Sequence, residues 1–139
     1  MKKINEVSAL AGVSKRTLQY YDDEGLLSVK RAGNNERLYD EEALFRLWQI
    51  LLYKGLDLKL DEIKIILNMS ADDRRKVLTA HILAMKLEES NLAAKIRFAE
   101  RLKDEDPEEL FRAATGEEGS LTYKMQVEKL REALVLDKV

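Results

Sequence analysis

The run Val13-Ser14-Lys15-Arg16-Thr17-Leu18-Gln19-Tyr20-Tyr21-Asp22-Asp23-Glu24-Gly25-Leu26-Leu27 leaves the chain little choice of local structure. Ser14 supplies an N-cap oxygen, Leu18 and Tyr21 stand three apart on one helical face, and Gly25 provides the left-handed residue that closes a helix. Lys15, Arg16 and Gln19 fall on the opposite face. Upstream, a short helix at about Asn5 to Ala11 and a turn at Gly12 complete the order of a helix-turn-helix. A short helix that offers two cations and an amide from its first turns suits the major groove of duplex DNA. Lys15, Arg16, Thr17 and Gln19 are therefore expected to face bases or adjacent backbone, with Ser14 at the helix entrance.

Overall charge does not announce such a role. The chain carries 24 Lys+Arg against 26 Asp+Glu, a net charge of −2. Residues 1–69 hold 11 of each sign, so the expectation rests on where the cations sit. Lys2-Lys3, Lys15-Arg16 and Lys30-Arg31 come in pairs with Arg37 alone, while acids gather at Asp22-Asp23-Glu24 and Asp40-Glu41-Glu42. That segregation predicts one basic face.

At 139 residues and 45% hydrophobic content, one compact domain with an appendage is expected. The absence of cysteine excludes disulfides, thiolate metal sites and iron–sulfur ligation. His81 alone builds no soft-metal site, so no metal is expected. The start Met1-Lys2-Lys3-Ile4, with no long apolar run, predicts a cytoplasmic protein without a membrane span. There is no phosphate loop, nucleophile elbow or zincin motif, so neither enzymatic activity nor a cofactor is expected.

Beyond Leu27 the turn signal Gly33-Asn34-Asn35 separates Leu27-Ser28-Val29-Lys30-Arg31 from Glu36-Arg37-Leu38-Tyr39. This predicts a small hairpin, or wing, carrying Arg31 and Arg37 to phosphates beside the groove; a solvated loop is the alternative. Asp40 then caps a helix from about Glu41 to Lys54, where Leu44, Leu47, Trp48 and Leu51 form a stripe expected to cover the core. On that stripe Trp48 is expected to pack. A break over Gly55 to Lys59 leads to a helix from Leu60 to Asn68, closed onto the core by Ile63, Ile66 and Leu67.

From Ala71 to about Lys103 the pattern is one helix of roughly 50 Å. Leu78, Ile82, Met85, Leu92, Ile96 and Ala99 follow heptad steps once Glu89 is accepted at one seam position. Dimerisation through this stripe is expected; packing against the chain's own tail is the alternative. The tail opens with Asp106-Pro107-Glu108-Glu109, a cap, a first-position proline and a capping-box glutamate. After a break at Glu117-Glu118-Gly119-Ser120, a helix from about Leu121 to Leu136 places Tyr123, Val127, Leu130 and Leu134 on one face. Phe98, Phe111, Tyr123 and Met125 are candidates to contact a small hydrophobic effector there, while a tail that merely packs is the competing reading.

The order helix, helix, hairpin, helix, helix resembles the MerR family of bacterial transcription regulators. The resemblance covers about residues 3–68 and rests on Val13-Ser14, Thr17-Leu18, Tyr20-Tyr21-Asp22, Gly25-Leu26-Leu27, Arg31, Arg37-Leu38-Tyr39 and Leu60-Asp61-Glu62-Ile63. Lys54-Gly55-Leu56-Asp57 looks most like the TipA-like, multidrug-sensing branch, here without a large effector domain. The resemblance implies a mainly α fold: a winged helix-turn-helix domain over 1–69, a dimerisation helix over 70–104 pairing as an antiparallel coiled coil, and a short helical region over 105–139. It implies a homodimer on a promoter inverted repeat, with spacer DNA distorted so that RNA polymerase engages both promoter elements. Lys3, Tyr20, Arg31, Arg37 and Tyr39 join the DNA-binding set on the same ground. Small family members that sense metals or oxidants use cysteines, which this chain lacks.

Four positions depart from the family pattern, the fourth being Asp57, which stands where the family has a helix-ending glycine. Gln19 replaces arginine, Val29 replaces proline, and Glu36 replaces an aromatic residue before Arg37. Loss of a cation removes about one unit of salt slope, and an acid in the wing repels phosphate; Lys30 is the candidate compensating cation. Gln19 and Glu36 also motivate a reading of another class, a protein-interaction module that pairs with a different regulator and binds DNA weakly. Asp57 stands at a helix-ending position where aspartate tolerates left-handed backbone.

Overall fold

Two short helices, α1 (Ile4–Ala11) and α2 (Lys15–Asp23), meet at a turn built on Gly12. The computed structural model describes residues 1–116, 119 and 121–136. It divides into two units, Met1–Val77 and a second from Leu78 onward. Gly12 adopts φ 70°, its N–H donates to the Ser8 carbonyl, and Ser8 Oγ donates to the Val13 carbonyl at 2.6 Å. The turn thus closes with its polar groups paired. Ser14 caps α2 by accepting the Thr17 N–H at 3.0 Å. After α2, Gly25 at φ 73° reverses the chain, so that the Leu26 and Leu27 N–H groups both return to the Tyr21 carbonyl.

The wing is a three-stranded sheet rather than a two-armed hairpin. β2 (Lys30–Arg31) and β3 (Arg37–Tyr39) pair antiparallel, and β1 (Lys2–Lys3) adds to the other side of β3, giving the order β1-β3-β2. Lys2 stands opposite Tyr39, Lys3 opposite Leu38, and Arg31 opposite Arg37. At the tip Asn35 takes φ 66°, and Asn34 Oδ1 accepts the Glu36 N–H at 3.1 Å.

α3 (Glu41–Lys54) starts at Asp40, whose carboxylate accepts the Ala43 N–H at 2.8 Å. Its buried face is Ala43, Leu47, Ile50 and Tyr53, not the expected Leu44-Leu47-Trp48-Leu51 stripe. The expectation that Trp48 packs in the core is therefore corrected: its side chain is 61% exposed. Both stripes satisfy helical spacing and share Leu47, and the sheet and α4 (Leu60–Ile66) select the former. Leu44, Trp48, Leu51 and Leu52 instead line an open apolar groove of about 580 Å³ with Leu10 and Ala11. α4 buries Ile63 and Ile66 and ends before the expected Asn68, whose amide donates to the Lys64 carbonyl at 3.0 Å. Asp57 takes the left-handed conformation expected of it, at φ 59°.

α5 (Ala71–Leu102) runs 32 residues and buries no side chain. In the second unit, α6 (Pro107–Thr115) packs on α7 (Tyr123–Leu136), where the Phe111 and Tyr123 rings meet nearly edge-on at 6.2 Å. Asp106 caps α6 through the Glu108 N–H at 3.2 Å. α7 begins two residues later than the sequence predicts because Thr122 Oγ1 accepts the Met125 N–H at 3.2 Å, a capping contact. Of its expected apolar face, Leu134 is buried and Leu130 half-buried, while Tyr123 and Val127 are exposed. Glu117, Glu118 and Ser120 of the expected break lie outside the described residues. Among the described residues no helix is long and apolar enough to cross a membrane.

Candidate nucleic-acid interface

The outward face of α2 is set by what its inward face buries. Leu18 and Tyr21 are sunk in the core, and burial raises the Tyr21 phenol above its ordinary pKa. Lys15, Arg16, Gln19 and Tyr20 are left exposed on the other side. Lys15 and Arg16, on the first turn, form no ion pair among the described residues. Ser14 Oγ and Thr17 Oγ1 lie 2.9 Å apart, so one hydroxyl hydrogen of the pair remains for an outside acceptor.

Two contacts that sequence reasoning missed lock the exit of α2. Arg46 Nε of α3 donates to the Leu26 carbonyl at 2.8 Å, and Lys64 Nζ of α4 donates to the Glu24 carbonyl at 3.3 Å. They join residues 20 and 40 apart in the chain, and no local pattern marks either one. Lys64 satisfies the C-cap carbonyl of α2, and Arg46 a carbonyl of the turn that follows it.

The wing arginines do not stand free. Asp22 Oδ2 accepts Arg37 Nε at 2.9 Å and Arg31 Nη2 at 3.2 Å, and Asp23 Oδ1 lies 3.4 Å from Arg37 Nη2. Arg31 also donates through Nη1 to the Asn35 carbonyl at 3.1 Å. The Arg37 side chain is only 18% exposed. Tyr39 is a correction to the expected DNA-binding set: it is fully buried, and no hydrogen-bond partner meets its hydroxyl. Burial pushes its phenol up; Arg37 and Arg31 pull it down, and Asp22 pushes it further up. Lys3 lies 3.8 Å from Glu36, which offsets the acid that departs from the family pattern. Lys30, the expected compensating cation, is held at 3.1 Å by the Asp40 carboxylate.

In the second unit the structure brings Phe111 and Tyr123 together in an apolar cleft of about 290 Å³ with Pro107, Leu110, Ala114, Thr115, Gln126, Val127 and Leu130. Phe98 and Met125, expected beside them, do not line it. Along α5, Leu92 is 58% and Ile96 50% exposed, with Ile82, Met85, Glu89 and Ala99 also exposed and Leu78 half-buried. Among the described residues no group of His, Cys, Asp and Glu side chains is placed to hold a metal ion.

The MerR HTH family regulatory protein model matches residues 2–70, the span of the helix-turn-helix, wing, α3 and α4. The HTH-type transcriptional regulator CueR of Bacillus subtilis (strain 168) is 40% identical over 114 residues, 78% of each chain. The chain belongs to the MerR family. This MerR-family protein is accordingly a DNA-binding transcription regulator and not an enzyme. The activator TipA of Streptomyces coelicolor is 42% identical over 73 residues, 52% of this chain but 29% of TipA. The crystal structure of MtaN, the N-terminus of the Bacillus subtilis multidrug transporter activator, superposes with a TM-score of 0.71 at 30% identity, over 76% of this chain and 100% of that one. The CueR match continues past the DNA-binding domain, whereas the TipA match does not reach the greater part of that protein.

Proposed function

We propose that this MerR-family regulator binds a short promoter inverted repeat as a homodimer paired antiparallel through α5, and distorts the spacer DNA in response to a signal so that RNA polymerase engages both promoter elements. The observation that carries the reading is α5 itself. A helix about 48 Å long whose apolar stripe stands exposed from Ile82 to Ala99 is incomplete without a second helix. Leu78, Ile82, Met85, Leu92, Ile96 and Ala99 form the seam, with Glu89 setting register at a cost in stability. Lys15, Arg16, Thr17 and Gln19 face the major groove, and Lys3, Ser14 and Tyr20 approach backbone. Arg31 and Arg37 reach phosphate only through the arrangement that Asp22 imposes on them. The α6–α7 cleft, with Phe111 and Tyr123, takes a small hydrophobic effector.

Fluorescence anisotropy of the full chain, against DNA from upstream of its own coding region and a scrambled duplex, tests this in a salt series. Tight, salt-dependent preference for the native fragment is the expected result. Arg16→Ala then lowers discrimination by about 1–3 kcal/mol, whereas Lys15→Ala weakens binding to all sequences. The neutralised wing favours a second reading, an interaction module paired with another regulator. Its marks are equal, weak binding to both DNAs and a monomer in light scattering, and that outcome overturns the homodimer.

A further inference from the structure

Three acids end the recognition helix, and two of them face the wing. The Asp22 carboxylate is 15% exposed and is shared between two guanidinium groups, one from each strand of the wing hairpin. Asp23 adds a longer contact to Arg37. Arg31 and Arg37 contribute two positive charges and Asp22 and Asp23 two negative ones, so the wing arginines present almost no net charge to an approaching duplex. Nonspecific affinity for DNA is set by cations that displace counterions from phosphates. A cation already held by a carboxylate 2.9 Å away releases few, unless the pair opens or DNA supplies a phosphate at the geometry the pair fixes.

We propose that Asp22 is a specificity-determining residue of this regulator. Its carboxylate withholds Arg31 and Arg37 from indiscriminate phosphate binding and holds them in one orientation, which only duplex DNA seated on α2 can use. Discrimination then rests on Arg16, a cation of α2 that forms no ion pair among the described residues. Glu24 supplies the internal control: it is an acid two residues on, exposed, with a side chain that joins neither arginine.

The test uses the full chain and a scrambled duplex, together with a duplex selected by the same protein from a random pool. Binding is measured by anisotropy between 50 and 200 mM salt. Asp22→Asn is expected to tighten binding to the scrambled duplex at low salt and to steepen its salt slope by about one to two, on the order of four- to sixteenfold more loss across that range. The ratio of selected to scrambled affinity falls. Asp23→Asn gives a smaller change of the same sign, Asp22→Glu restores the original slope, and Glu24→Gln, with the same change in net charge, leaves the slope nearly unaltered. If Asp22→Asn weakens both duplexes equally, or if Glu24→Gln steepens the slope as much, the proposal is overturned. Should Asp22→Asn fail to fold, Asp23→Asn against Glu24→Gln makes the same decision. Failure of the homodimer reading shows separately, as a selected duplex without an inverted repeat.

Discussion

The two units of this regulator are held together by different means. Among the described residues, every buried apolar side chain lies between Val7 and Ile66 except Leu134. The first unit closes Leu18, Tyr39, Ile50 and Ile63 into one core, whereas the second presents a long helix and a helical pair with most of their large apolar groups exposed. Burial of apolar surface is the main favourable contribution to folding. The first unit therefore has the means to be stable as a single copy, and on the proposed reading the second gains them by pairing.

The sharpest way to break that contrast is to attack the seam. Leu92→Glu combined with Ile96→Glu places two charges where a second helix would lie, at positions whose exposure in the single chain makes them nearly neutral there. The expected result is a monomer in light scattering and a loss of about two to four orders of magnitude in affinity for an inverted repeat, the avidity of two linked domains. Far-ultraviolet helicity of the first unit stays. A dimer that survives both charges would place the interface elsewhere. The complementary change is Leu18→Ala, a large-to-small substitution in the closed core. It is expected to cost about 2–5 kcal/mol in denaturant unfolding, independent of protein concentration, and to abolish DNA binding because α2 loses its anchor.

These two experiments also mark the line between what sequence revealed and what it left hidden. Ser14, Gly25 and Asp40 act within a few residues of themselves, and their roles were legible because caps and left-handed turns are local chemistry. The face of α3 was misread because two stripes sharing Leu47 both fit a period of 3.6, and only the neighbours of α3 choose between them. β1 escaped notice because two residues cannot show alternation. The Asp22 clasp is nonlocal: Arg37 stands 15 residues away, and the pattern Tyr-Tyr-Asp carries no sign of what its aspartate meets. Tyr39 was placed at the DNA by resemblance alone, while its burial follows from the packing of α1 and α3 against β3.

A smaller effect separates two glycines that share a conformation. Gly12 at φ 70° has open space where a Cβ would project, whereas a Cβ on Gly25 at φ 73° would come within 3.2 Å of Lys64 Nζ. Each substitution by alanine is expected to cost about 1–2 kcal/mol for the left-handed backbone alone. Gly25→Ala should cost somewhat more, because Lys64 must give up the Glu24 carbonyl to make room. Equal costs in thermal unfolding would show that this lysine contributes nothing to fixing the end of α2.

The smallest expected effect is a pH dependence that belongs to the first unit alone. The Ala43 N–H, and after it the Lys30 side chain, hold the Asp40 carboxyl below its ordinary value of 3.8, against the opposing effect of partial burial. A group whose folded pKa is depressed contributes stability that is present above the unfolded value and lost as pH falls through the folded one. The melting-temperature gap between the wild type and Asp40→Ala should therefore hold steady from neutral pH downward and narrow only once pH drops below 3.8. Asp40→Asn keeps a cap oxygen without the charge, so its gap to Asp40→Ala should show no such narrowing. If both gaps behave alike, neither the Ala43 N–H nor Lys30 favours the charged carboxylate over a neutral cap oxygen. The contact with Lys30 would then contribute nothing to the closed unit, as is common for exposed ion pairs.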